Sequence, residues 1–241
     1  MGPCRSISAI TLTAAALLAP SPALAVGVPG QGTWETTLQP RDINGDGTVD
    51  AFYDTVLNLS WMADANVAGL MNWAGAQAWA ANLDLHGTTD WRLPTMIDTG
   101  APGCDWSYWG TDCGYSVQTI SQDGQTIFSE MAHLFHVSLG NKAYHDTSGD
   151  PPWGLTNTGG FRNLQAWGYW YGLAYAPAPE LGAWHFNNSY GLQSYFDQVD
   201  EIYAVAVHPG DVAAGVPEPH TSALLLIGLA GVLAAARRRS A

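Results

Sequence analysis

The chain has 241 residues, with 21 Asp and Glu against 8 Lys and Arg, a formal net charge of −13, and 12% charged against 47% hydrophobic residues. All 21 acids lie between Glu35 and Glu218, where only Arg41, Arg92, Lys142 and Arg162 oppose them, leaving that span near −17. Nucleic acids and sulfated polysaccharides are held by Lys/Arg clusters that displace counterions, and this composition excludes both as partners.

In chain order, residues 1–25 read as a secretory signal peptide. A single charge at Arg5 precedes an apolar run from Ile10 to Ala19, and Ala23-Leu24-Ala25 supplies a small-x-small cleavage site. Pro20 and Pro22 would break a buried helix at that point. Removal of the signal takes Cys4 with it. The exported chain then keeps Cys104 and Cys113, nine positions apart, in an oxidising compartment where disulfides persist. A Cys104–Cys113 bridge is expected.

Residues 26–212 fall within the size of one domain. The segment Asp42 to Asp50, "DINGDGTVD", admits two readings. Asp42, Asn44, Asp46, Gly47 and Asp50 occupy positions 1, 3, 5, 6 and 9 of a Ca²⁺ loop. Position 12 is Tyr53 rather than an acid, and Asp54 follows one residue late, so a plain Asn-Gly/Asp-Gly turn serves equally.

"YDTVLNLSWMAD" alternates as a strand or hairpin arm. "NWAGAQAWAANLDLHG" predicts a helix capped by Asn72, with Trp73, Ala76, Ala80 and Leu83 on one stripe and a stop near Gly87. A second helix is expected from Ser129, with Phe128, Ala132, Phe135 and Leu139 on one face and Gly140 as its end. Aromatic strand-like runs follow: "LQAWGYWYGLAY", "GAWHFNN", "GLQSYF" and "IYAVAVHPGD". Two helices and mostly antiparallel strands predict an α+β domain.

Several residues carry candidate chemistry. Arg92, set between Trp91 and Leu93-Pro94, needs Asp90 or another acid as partner, because an unpaired buried charge is costly. It is expected to staple helix to sheet. Glu130, His133 and His136 sit at helical spacing with His145 nearby, a spacing that could ligate zinc. There is no H-E-x-x-H arrangement, however, and Leu134 and Phe135 mark a packing helix. No G-x-S-x-G element or other nucleophilic set stands out, so the body is read as a non-enzyme. The aromatic second half, including Trp106, Trp109, Trp170 and Trp184 among Asn, Gln and Gly, reads either as a tryptophan-rich core or as a glycan-binding surface.

The order of "DINGDGTVDAFYDTVLNLSWMADAN", "MNWAGAQAWAANLDLHGTTDWRLPT", "GTDCGYS", "EMAHLFHVSLGNKAYHD", "WGLTNTGGF", "YWYGLAYAP" and "YAVAVHPGDV" resembles the Lcl C-terminal domain family of collagen-like bacterial adhesins. The helix followed by "DWRLPT" is also similar to the C-type-lectin-like and formylglycine-generating-enzyme folds, which the resemblance offers as fold expectations. Catalysis does not carry over, since enzymes of that wider group use a cysteine pair far downstream, whereas both cysteines here precede the second helix.

The C-terminus has three parts. Val216-Pro217-Glu218-Pro219 precedes Thr221–Ala236, 16 residues without a charge, and then Arg237-Arg238-Arg239. The apolar run is shorter than the roughly 20 residues of a comfortable span, and the arginines orient it with that end inside. Residues 216–241 resemble the PEP-CTERM sorting signal, which implies an exosortase as processing partner, transient membrane association through the tail, and an exopolysaccharide setting. The sequence thus predicts an exported surface or matrix protein that binds neutral glycan, with a structural matrix component or a glycan hydrolase as alternatives.

Overall fold

The computed structural model describes residues 27–104, 112–115, 129–145 and 152–212. After the short helix α1 (Trp34–Thr37), β1 (Leu38–Arg41), β2 (Ala51–Asp54) and β3 (Leu59–Met62) form an antiparallel meander. The expected hairpin is thus β2–β3. Its turn is closed by Asp54, whose Oδ1 accepts from the Val56 and Leu57 amides at 2.9 and 3.0 Å. A second sheet, ordered β4-β5-β6, comprises β4 (Gly168–Ala174), β5 (Gly182–Asn187) and β6 (Leu192–Asp197). The chain then returns, and β7 (Val207–Pro209) completes the first sheet in the order β1-β2-β3-β7. These two antiparallel sheets and few helices make an α+β domain.

The aromatic runs become strands, and the central strand of the second sheet is covered on both faces. All six residues of β5 are buried, and Trp61, Trp170, Trp184, Tyr169, Tyr171 and Phe186 are the largest apolar-bodied side chains wholly inside. Burial of a large apolar side chain is worth about 1.5–3 kcal/mol, so these positions carry much of the fold's stability. Indole nitrogens of this aromatic core find backbone partners: Trp170 Nε1 donates to Met71 O at 2.9 Å and Trp73 Nε1 to Tyr171 O at 2.8 Å.

The helix α2 (Trp73–Ala81) starts where its sequence says, with the Asn72 side chain accepting from the Gly75 amide at 2.9 Å. It buries Ala76 and Ala80, with Trp73 and Leu83 packed at the edge of the core. It stops before Gly87, because the Asn82 side chain donates to Ala78 O at 2.7 Å and closes the last turn. Gly87 instead belongs to the Asp84–Thr88 turn.

The second helix differs from its expected regular form. Ser129 caps it as predicted, its Oγ accepting from the Ala132 amide at 2.8 Å, but only α3 (Glu130–Ala132) is α-helical. His133–Ser138 is a π-helical turn, closed by the Leu139 amide on Leu134 O at 2.8 Å. Met131, Ala132, His133, Leu134, Phe135, Ser138 and Leu139 are all buried. An element buried on nearly every side does not need one apolar stripe. Gly140 ends it with a φ of +63°, a conformation that glycine adopts without a Cβ penalty. Phe128 lies outside the described residues.

The "WGLTNTGGF" segment is explained by its asparagines. Asn157, wholly buried, donates to Gln31 O and Leu139 O at 3.0 and 2.8 Å and accepts from the Val28 and Gly159 amides at 2.8 and 2.9 Å. Asn141 Oδ1 accepts from the Thr156 and Asn157 amides at 3.0 and 2.8 Å. Together they tie the start of the body to the end of the π turn and to the approach to β4.

Candidate functional site

The "DWRLPT" segment forms one wall of a cavity of about 240 Å³, lined by Gln77 and Ala81 of α2, by Trp91, Arg92, Leu93 and Thr95, and by Gly172 of β4. Backbone geometry builds it. Arg92 exchanges both backbone hydrogen bonds with Val207 at 2.9 and 2.8 Å, extending the first sheet beyond β7. β4 loses register with β5 between Trp170 and Ala174, and the Gly172 amide turns to Pro94 O at 2.9 Å. A bulge re-aims the chain in this way without ending the strand.

Arg92 is paired, and its acid is Glu130 rather than Asp90. Nη1 and Nη2 donate to Glu130 Oε2 and Oε1 at 2.9 and 2.7 Å, and Nη1 also donates to Leu93 O at 3.0 Å. Glu130 Oε2 further accepts from the Thr95 amide at 2.8 Å. Asp90 sits in a left-handed turn conformation, φ +64°. Burial works against the guanidinium charge, but the Glu130 carboxylate outweighs it and raises the Arg92 pKa above its ordinary value. The expected staple is present, and it joins "DWRLPT" to the start of α3.

The Asp42–Asp50 segment closes on itself. Asp42 Oδ1 accepts from the Gly45 and Asp46 amides at 2.7 and 3.1 Å, and its Oδ2 from Gly47 at 2.8 Å. Asp46 Oδ1 accepts from the Thr48 amide at 2.7 Å, and Asn44 Nδ2 donates to Asp46 Oδ2 at 3.0 Å. These bonds, first that from Asn44, hold the Asp46 carboxyl below its ordinary pKa. Asp50 Oδ2 accepts from Ile43 at 2.8 Å, and Oδ1 faces His86 Nε2 at 3.3 Å. Tyr53, at position 12, directs its hydroxyl to Asn58 Oδ1 at 2.8 Å, and Asp54 is wholly buried in its own hairpin turn. Among the described residues no group of three or more His, Cys, Asp or Glu is placed to hold a metal. Glu130 is engaged by Arg92 and Thr95, and His133 is buried beside Asp54 with its pKa lowered, first by burial.

Trp170 and Trp184 are core residues, not surface ones. Both are wholly buried. The Trp184 Nε1 donates to Asp98 Oδ2 at 2.6 Å, and its ring meets Tyr175 edge-on at 5.2 Å. Neither ring face is open to a glycan, which corrects their assignment as a binding surface: the strands that carry them are covered on both sides. Trp106 and Trp109 lie outside the described residues, as do residues 1–25, read as a signal peptide, and the sorting tail Val216–Pro219 with Arg237–Arg239. Cys104 and Cys113 are bonded, with their Cα atoms 5.1 Å apart.

Of the aromatic side chains that do reach the surface, Trp153 and Trp167 belong to the aromatic second half read from the sequence, whereas Tyr144 and Tyr190 are not singled out by it. Tyr144, Trp153, Trp167 and Tyr190 are 43–46% exposed. Trp153 carried a usable signal, because Pro151-Pro152-Trp153-Gly154 is a loop sequence and not a strand position.

Residues 215–240 match the PEP-CTERM protein-sorting motif. The chain therefore carries the signal of an exported, exosortase-sorted protein. No curated protein and no solved structure matches it. Among the described residues no helix is long and apolar enough to cross a membrane.

Proposed function

We propose that this protein is a surface or matrix component, delivered by exosortase processing, whose body binds neutral glycan. The observation that carries the glycan reading is the contrast between wholly buried Trp170 and Trp184 and the 43–46% exposure of Tyr144, Trp153, Trp167 and Tyr190. A contiguous patch of exposed apolar groups marks an interaction surface, and aromatic rings pair an apolar face with polar tips suited to sugars. Charge supports a neutral ligand. Arg41 is bidentate to Asp211 at 2.7 Å on both oxygens, and Arg92 is committed to Glu130, so two of the four cations of the acidic span serve internal pairs.

The resemblance to the Lcl C-terminal domain supports the same extracellular role, and a C-type-lectin-like arrangement is the fold proposal that accompanies it. A tail that holds the exported protein at the membrane transiently and is then removed fits delivery to a polysaccharide-rich surface. Probing a glycan array with the exported protein, with heparin as polyanion control, tests the reading. Discrete neutral hits without heparin binding are expected. No neutral hit would leave the structural matrix role, and release of sugar would indicate a hydrolase.

A further inference from the structure

We propose that Tyr144, Trp153 and Tyr190, bordered by Tyr115 and His145, are the sugar-contacting surface of this body and take adjacent units of a neutral polysaccharide. The assignment rests on the glycan reading above and gives it residues.

The cluster is assembled from four separate stretches of chain. Tyr144 meets Trp153 at 5.0 Å and Tyr190 at 6.0 Å between ring centroids, at interplanar angles of 90° and 87°. Tyr115 lies 6.4 Å from Tyr144 and 4.6 Å from His145. In an edge-on pair only one ring of the two gives up a face, so such a cluster keeps aromatic faces for a ligand. The three leading rings are 43–45% exposed.

Backbone bonds fix each stretch. The Tyr144 amide donates to Tyr190 O at 2.8 Å, joining the end of the π turn to the β5–β6 turn. The Gly154 amide donates to Lys142 O at 2.8 Å and sets Trp153 beside Tyr144. Gly154 has φ +78°, and a Cβ there would fall 2.5 Å from Ser189 O, so only glycine lets this loop lie on the β5–β6 turn. Gly114 exchanges both backbone bonds with Gln193 at 2.9 and 3.0 Å and, next to the Cys104–Cys113 bridge, anchors Tyr115. Rings held by their backbones lose little freedom on binding, which favours affinity.

The chemistry selects the ligand. Aromatic faces cover the CH face of a pyranose, and tyrosine hydroxyls both donate to and accept from its hydroxyls. A span near −17 opposes polyanions at long range but is indifferent to a neutral chain. Rings from separate segments on one surface suit consecutive sugar units better than a single small molecule.

The test is native electrophoresis of the full-length-expressed, exported protein through gels containing dextran, hydroxyethyl cellulose or galactomannan. At least one polysaccharide should retard the wild type. Trp153→Ala and Tyr190→Ala should each weaken that interaction about tenfold, as truncation of an aromatic anchor does, with unchanged far-ultraviolet dichroism. Val199→Ala, at an 80% exposed position, should bind as wild type. Equal retardation of wild type and both aromatic variants would overturn this site while leaving the glycan reading intact. Failure of all three polysaccharides to retard the wild type would overturn both. Binding of a polyproline decamer in their place, lost in Trp153→Ala, would make the surface a peptide-docking site and overturn the sugar assignment.

Discussion

Arg92 and Glu130, 38 positions apart, meet in two parallel hydrogen bonds of 2.9 and 2.7 Å, and the same carboxylate holds the Thr95 amide. One side chain thus joins the "DWRLPT" segment to α3 and shapes a wall of the cavity. Glu130→Gln should cost about 2 kcal/mol, between the values for surface and buried pairs. Asp90→Asn, which keeps the turn conformation but not the charge, should cost under about 0.5 kcal/mol. Urea unfolding of the two variants reads both numbers. A larger loss for Asp90→Asn would reverse the assignment of the partner.

The Cys104–Cys113 bridge closes a short loop, which the chain-entropy model values at about 2–3 kcal/mol. The unreduced exported protein should show no free thiol by mass spectrometry, and reductant should lower its thermal midpoint. Two titratable thiols would refute the bond.

Buried histidines should make the fold acid-sensitive. His185 is 1% exposed, and burial pushes its pKa from 6.5 down to about 3, with a backbone hydrogen bond at Ser194 acting the other way. His133 is lowered by burial as well. A depressed histidine binds its proton in the unfolded chain first. Stability is therefore full above pH 6.5 and falls as pH drops from there toward about 3, by up to about 1.4 kcal/mol per pH unit per group. Asp54, raised chiefly by burial, takes up its proton in the folded chain first and so opposes this. His185→Phe should flatten the acid limb of the stability profile. An unchanged slope would show that His185 does not set it.

The three backbone amides on Asp42 indicate that the turn closes by itself. Asp42→Ala should cost about 1–2 kcal/mol, equally in EDTA and in millimolar calcium. A cost seen only with calcium would make the segment a cation site.

Much of the fold was legible locally. Asn72 and Ser129 announced their helices through cap chemistry that acts within three residues. The aromatic runs announced β4, β5 and β6, and with Cys4 in the segment read as a signal peptide only one cysteine pairing was left. The π turn was not legible, because an i→i−5 closure such as Leu139 on Leu134 has no residue signature. Nor was Glu130 as the partner of Arg92, since only the tertiary fold brings them together. The tryptophans misled for a related reason. Trp170 and Trp184 share a residue type with Trp153, and what separates core from surface is whether the strand around them is covered on both faces.

If the tail sorts the protein and is then removed, its loss will be read from the C-terminal peptide of molecules recovered from the surface or medium of the exporting host. Mass spectrometry should find a C-terminus upstream of Arg237-Arg238-Arg239, within the 215–240 sorting motif. Intact Arg237-Arg238-Arg239 on most of the recovered molecules would show that the tail is retained and does not act as a removable sorting signal.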